Sequence, residues 1–103
     1  MAWSKEISNR IDVVLSTIQK PFTTHTLVEN LIANNRAVWN DFVMSYRQKN
    51  RSIRVQEQIA VTQIGRYLGR NANRLNIRQG KTIPDKRIIG LIEHIPLQTT
   101  EWL

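Results

Sequence analysis

"VTQIGRYLGRNANRLNIRQGK", residues 61–81, carries five arginine or lysine side chains, with apolar residues recurring between them at Ile64, Leu68 and Leu75. Wound at about 100° per residue, the segment from 58 to 75 gathers Ala60, Val61, Ile64, Tyr67, Leu68, Ala72 and Leu75 on one side. The other side holds Gln58, Thr62, Gln63, Arg66, Arg70, Asn73 and Arg74, with Ile59 as its one apolar member. That polar side contains no carboxylate. A merely solvated helix mixes acidic and basic residues three or four apart, because opposite charges support each other and like charges repel. Arg66, Arg70 and Arg74 stand instead at four-residue intervals, an arrangement unfavourable in isolation and relieved by a row of anions. Gly65 and Gly69 each weaken a helix by about 1 kcal/mol relative to alanine. A compensating contact is therefore expected: close approach of another helix or of a sugar-phosphate backbone, or, for Gly69, a helix end.

The charge of the whole chain points the same way. Residues 1 to 46 carry four basic and four acidic side chains, whereas from Arg47 onward eleven basic residues face four acidic ones, which accounts for the entire net charge of +7. An excess confined to one half of a molecule suits a polyanion partner, the plainer alternative being a solubilising surface. At 103 residues, 41% of them hydrophobic and 22% charged, the chain reads as one globular domain, 1–103, with a modest core. The absence of cysteine removes disulfides, thiolate metal sites and a thiol nucleophile together. The first residues lack a basic region followed by an apolar run, and no stretch approaches the length of a membrane span. No membrane partner is expected, and the location expected is cytoplasmic, nucleoid-associated in a bacterium.

Outside the basic segment the pattern is regular. Ser4 is placed to cap a first helix, 4–19, with Ile7, Ile11, Val14, Leu15 and Ile18 in one stripe, and Pro21 stops it. Phe22-Thr23-Thr24 reads as a short extended link. Residues 24–47 then carry two apolar sets, Leu27, Val28, Leu31 and Ile32, then Val38, Trp39, Phe42, Val43 and Tyr46, interrupted at Asn34-Asn35. Two helices and one kinked helix fit equally. "RQKNRS", residues 47–52, is a basic connection, after which helical spacing resumes at about 54 and runs to 74. From Leu75 the period changes: Ile77, Ile83, Ile88, Ile89, Leu91 and Ile92 fall in short runs around "QGKTIPDKR", where Gly80 and Pro84-Asp85 suit a turn. This predicts a β-hairpin over 75–95. The ending "PLQTTEWL" either packs Trp102 or Leu103 onto the body or frays. The fold class expected is mainly α with a C-terminal β-hairpin, α+β.

Residue types on the polar face suit DNA. Arginine can pair bidentately with a guanine edge, asparagine and glutamine with adenine, and threonine can meet a base, a phosphate or a thymine methyl. The order helix, extended link, helix, further helix, basic helix, hairpin resembles the winged helix-turn-helix superfamily over about residues 4 to 95. Within it "PFTTHTLVENLI" looks like the short strand and second helix, "VQEQIAVTQIGRYLGRNANRL" like the recognition helix, 54–74, and "NIRQGKTIPDKRIIGLI" like the strands and basic loop of a wing, 75–95. That last region is also similar to winged domains ending some phage and plasmid primase-helicase proteins, although no Walker A loop or ATPase body is present. The family joins its second and third helices by a short turn, whereas here residues 36 to 53 intervene.

The resemblance implies double-stranded DNA as partner and a physical rather than chemical mechanism, with no enzyme activity and no cofactor. Thr62, Gln63, Arg66, Arg70, Asn73 and Arg74 would then enter or border the major groove, Arg66 and Gln63 at base edges and Arg70, Asn73 and Arg74 at phosphates. Arg78, Lys81, Lys86 and Arg87 of the wing would reach a neighbouring groove or backbone. Arg47, Lys49, Arg51 and Arg54 form a third basic cluster. The protein so read is a sequence-specific double-stranded DNA-binding protein, a small transcriptional regulator or an accessory factor of a phage, plasmid or other mobile element. The alternative is an interaction module or phage-type inhibitor whose basic face docks on a protein, since this fold serves both uses. His25 and His94 lie far apart without clustered carboxylates, so no catalytic or metal site is expected. Trp39, Phe42 and Tyr46 at helical spacing read as core, with a base-stacking platform as the alternative. Trp3 and Trp102 could supply an apolar patch for a homodimer on a two-fold symmetric operator.

Overall fold

A computed structural model describes residues 5–46, 52–84 and 99–103. The helix expected over 4–19 is observed as α1 (Lys5–Leu15), which buries Ile7, Ile11 and Val14. It stops early because Ser16 and Thr17 turn their hydroxyls back onto the carbonyl oxygens of Val13 and Val14, at 2.6 and 3.0 Å. After the two-residue strand β1 (Phe22–Thr23), Thr23 caps α2 (Thr24–Asn34): its backbone is extended, and its Oγ1 accepts the N–H of Thr26 at 3.1 Å.

Asn35, with φ −142° and ψ 51°, breaks the helical path, so the region 24–47 holds two helices, α2 and α3 (Arg36–Met44). Trp39 and Phe42 are 1% and 4% exposed. They meet edge to face with ring centres 6.0 Å apart, and Phe42 meets Tyr46 in the same way at 5.4 Å. These aromatics form core, and the two buried rings offer no face on which a base could stack.

Ser52 caps the long helix α4 (Ile53–Arg70), its Oγ accepting the Val55 N–H at 3.3 Å. Ala60, Val61, Ile64 and Leu68 are buried along the apolar side read from the sequence. The helix does not continue to 74. Asn71 leaves the helical region, and a single further turn, α5 (Ala72–Leu75), follows. Asn76 then adopts the left-handed conformation at φ 57°. Its N–H reaches the Asn73 carbonyl at 3.2 Å and the N–H of Ile77 reaches Ala72 at 3.0 Å, the paired closure of a Schellman motif. Leu75, expected at the start of a strand, therefore ends a helix.

Among the described residues strand β2 (Gln79–Ile83) pairs with β3 (Thr99–Trp102); the remainder of the hairpin expected over 75–95, with the aliphatic run 88–92, lies outside the described residues. The fold is thus mainly helical with a small antiparallel sheet in the order β1, β3, β2. Trp102 in the middle strand sits opposite Phe22 on one side and Gln79 on the other. Between Gln79 and Thr82 strand β2 carries one residue more than its partner, a bulge. Gly80 sits where the strands approach closely: a Cβ would lie 3.1 Å from the carbonyl oxygen of Glu101, which would have to shift by a few tenths of an ångström. The tail is the centre of the sheet rather than a frayed end: Trp102 is 2% exposed and its indole N–H donates to Thr24 Oγ1 at 2.9 Å. The apolar patch expected of Trp102 is consequently absent, because its ring is enclosed by the fold; Trp3 lies outside the described residues.

Candidate nucleic-acid interface

Burial of Ile64 and Leu68 in the core, where α4 packs on α2 and α3, turns the opposite side of α4 outward. Gln58, Thr62, Arg66 and Arg70 are exposed there, with Gln63 half-buried at one edge. Thr62 has already spent its hydroxyl proton on the Gln58 carbonyl at 2.9 Å, so it presents a methyl group and oxygen lone pairs. Arg66 and Arg70 form no ion pair among the described residues. Their charges stand together on adjacent turns of one rigid element.

Arg74 behaves differently, and the row of three arginines at four-residue spacing is not realised. The break at Asn71 places Arg74 on α5, where its guanidinium pairs with Asp12 of α1 at 3.3 Å and donates to the Tyr67 hydroxyl at 2.5 Å. The Tyr67 hydroxyl in turn donates to the other Asp12 oxygen at 3.3 Å. Hydrogen bonding to Asp12 raises the Arg74 pKa above its ordinary value. This cluster supplies the carboxylate that the helical face lacks in sequence, and Asp12 is the residue that sequence reasoning missed. Its position beside Ile11, at the margin of the α1 stripe, was the available sign.

Two concave surfaces flank the arginines. Arg66 and Arg70, with Gln63, Tyr67 and Asn71, line a recess of about 280 Å³ on the side toward α1. A larger groove of about 400 Å³ lies on the sheet side, between α4, the start of α2 and strands β2 and β3, with Arg66 at its margin. Among the described residues neither of these two surfaces is lined by a carboxylate. The start of α2 is not itself an open anion site, because Thr23 Oγ1 takes the Thr26 N–H and Thr99 Oγ1 takes the His25 N–H at 3.2 Å.

The remaining basic residues divide. Arg78 and Lys81 are exposed in and beside β2, and Arg78 is fixed by paired backbone hydrogen bonds to Leu103 at 3.0 and 2.8 Å. Asn73 is exposed on α5. Arg54 is exposed too, but twelve residues before Arg66 it lies about 18 Å away along the helix axis and belongs to a separate surface. Arg47, Lys49, Arg51, Lys86, Arg87 and His94 lie outside the described residues. His25 is buried at the start of α2. Among the described residues no helix is long and apolar enough to cross a membrane, and no three His, Asp or Glu side chains gather as a metal site. No protein-family model, curated protein or solved structure matches the chain.

Proposed function

We propose that the protein binds double-stranded DNA through α4 and the β2 strand, without catalytic chemistry, as a small regulator or accessory factor of a phage, plasmid or other mobile element. The observation that carries this reading is the pair Arg66 and Arg70, exposed on adjacent turns of an 18-residue helix and without an ion pair among the described residues. A winged helix-turn-helix arrangement is supported by the strand order β1, β3, β2, with β1 between α1 and α2 and the β2–β3 pair following the basic helix. In this reading Gln63 and Arg66 address base edges, Arg70 and Asn73 the backbone, and Arg78 and Lys81 an adjacent stretch of duplex. Arg74 has a positioning part, since Asp12 already engages it.

Fluorescence anisotropy with a mixed-sequence duplex at about 50 and 200 mM salt tests the proposal. Neutralising some six phosphates lowers affinity on the order of a thousandfold across that range. The Arg66→Ala, Arg70→Ala double variant is expected to lose most of the binding and to flatten the salt slope by about two. Absence of binding by the parent at the lower salt overturns the DNA reading in favour of an acidic protein partner.

A further inference from the structure

Gly65 and Gly69 lie one turn apart on α4, and no contact among the described residues requires either of them. Neither adopts the left-handed backbone conformation. A Cβ added to Gly65 would come no nearer than 3.9 Å to Thr24 Cγ2, and one added to Gly69 no nearer than 3.9 Å to Trp102 Cη2. Both distances are ordinary van der Waals contact, in contrast with the tight 3.1 Å approach at Gly80. Alanine would fit at both helix positions and favour the helix. Among the described residues no helix packs closely on this edge, so none of them gives an intramolecular reason for the two glycines.

Both line the groove of about 400 Å³ on the sheet side of α4. Its opposite wall is formed by Gln79 and Thr100, with Trp102 between the walls and Arg66 at the margin. Among the described residues the lining has amide and hydroxyl groups, the buried His25, the apolar Val61 and Trp102, one guanidinium and no carboxylate. Such a surface is complementary to an anionic chain and repels a second copy of itself, which would bring Arg66 and Arg70 against their own equivalents.

Resting on the DNA reading, we infer that one sugar-phosphate strand of the duplex lies in this groove and runs over the Gly65–Gly69 edge of α4. The helix backbone there comes as close to the strand as the missing methyl groups allow. Gln79 and Thr100 donate to its phosphate oxygens from the sheet side. Arg66, with five donors on a planar fork, serves the strand from the margin while still reaching into the duplex. The glycines thus set the depth at which α4 seats, and the sheet contributes through its middle strand β3 as well as through the basic residues of β2.

The test compares the parent, a Gly65→Ala, Gly69→Ala double variant and Gly65→Gln for melting temperature and for affinity to the same labelled duplex at about 50 and 200 mM salt. The alanine variant is expected to melt at or above the parent temperature, to bind at least tenfold more weakly, and to keep the parent's salt slope, because no charge is lost. Gly65→Gln, which fills the groove, is expected to bind at least as poorly as the alanine variant. Parental affinity in the alanine variant overturns the inference, and so does a melting temperature below the parent's, which would give the glycines a structural role. A parent that binds no duplex overturns the DNA reading itself, an outcome separate from either of these.

Discussion

Asp12 and Arg74 show how one contact redistributes the charge of this molecule. Both side chains are about half exposed, at 41% and 52%, so their pairing is screened by solvent and salt and contributes little to stability. Its consequence is positional: it holds the single turn of α5 against α1 and withdraws one of three arginines from the outward face. Replacing Asp12 by Asn removes a negative charge and releases Arg74. Urea unfolding is expected to register almost no change, while duplex affinity at low salt rises and the salt slope steepens by about one. A fall in affinity would mean that the Asp12 contact positions the basic surface rather than attenuating it.

At the scale of elements, the junction from α4 to β2 sets where the basic helix ends and the sheet begins. The turn after α5 is closed by Asn76 in the left-handed conformation, with Ile77 buried immediately after it. The Lys20 ammonium donates to the Asn76 carbonyl, tying this turn to the segment between α1 and β1. A residue with a Cβ and no short polar side chain is strained in that conformation by about 1–2 kcal/mol. Asn76→Ala should therefore lower unfolding free energy by about that amount, and Asn76→Gly should leave it unchanged or raise it. Urea denaturation with unchanged m-value would confirm that the cost lies in the turn. Equal stability of the alanine variant would show that the conformation is not imposed.

For the whole molecule the decisive residue is Trp102. It lies in the middle strand, packs within the same core as Ile64, Leu68 and Phe22, and hydrogen-bonds Thr24 at the start of α2. Trp102→Ala removes a buried ring and leaves a cavity, at a cost of about 3–5 kcal/mol, a large part of the stability of a domain this size. Trp102→Phe keeps most of the ring but leaves Thr24 without its indole donor, and a smaller loss is expected. Thermal melts of the two variants check this; an alanine variant melting within a few degrees of the parent would show that β3 is dispensable.

The sequence by itself determined the inward faces of α1 and α4, because the stripes Ile7, Ile11, Val14 and Ala60, Val61, Ile64, Leu68 repeat with the helical period and only one side of each can be buried; it left open whether 24–47 is one helix or two, and it set the ends of α1 and α4 too late. It likewise determined that Arg66 and Arg70 face outward, since the polar arc lies opposite the buried one. Tertiary structure alone decided the partner of β2, the place of Trp102 and the pairing of Arg74 with Asp12. In each case the contact joins residues far apart in the chain: β3 meets β1 across some eighty positions, and Asp12 meets Arg74 across 62. Local periodicity carries no record of such distances. The choice among distant partners is made by which surfaces the packed core brings face to face.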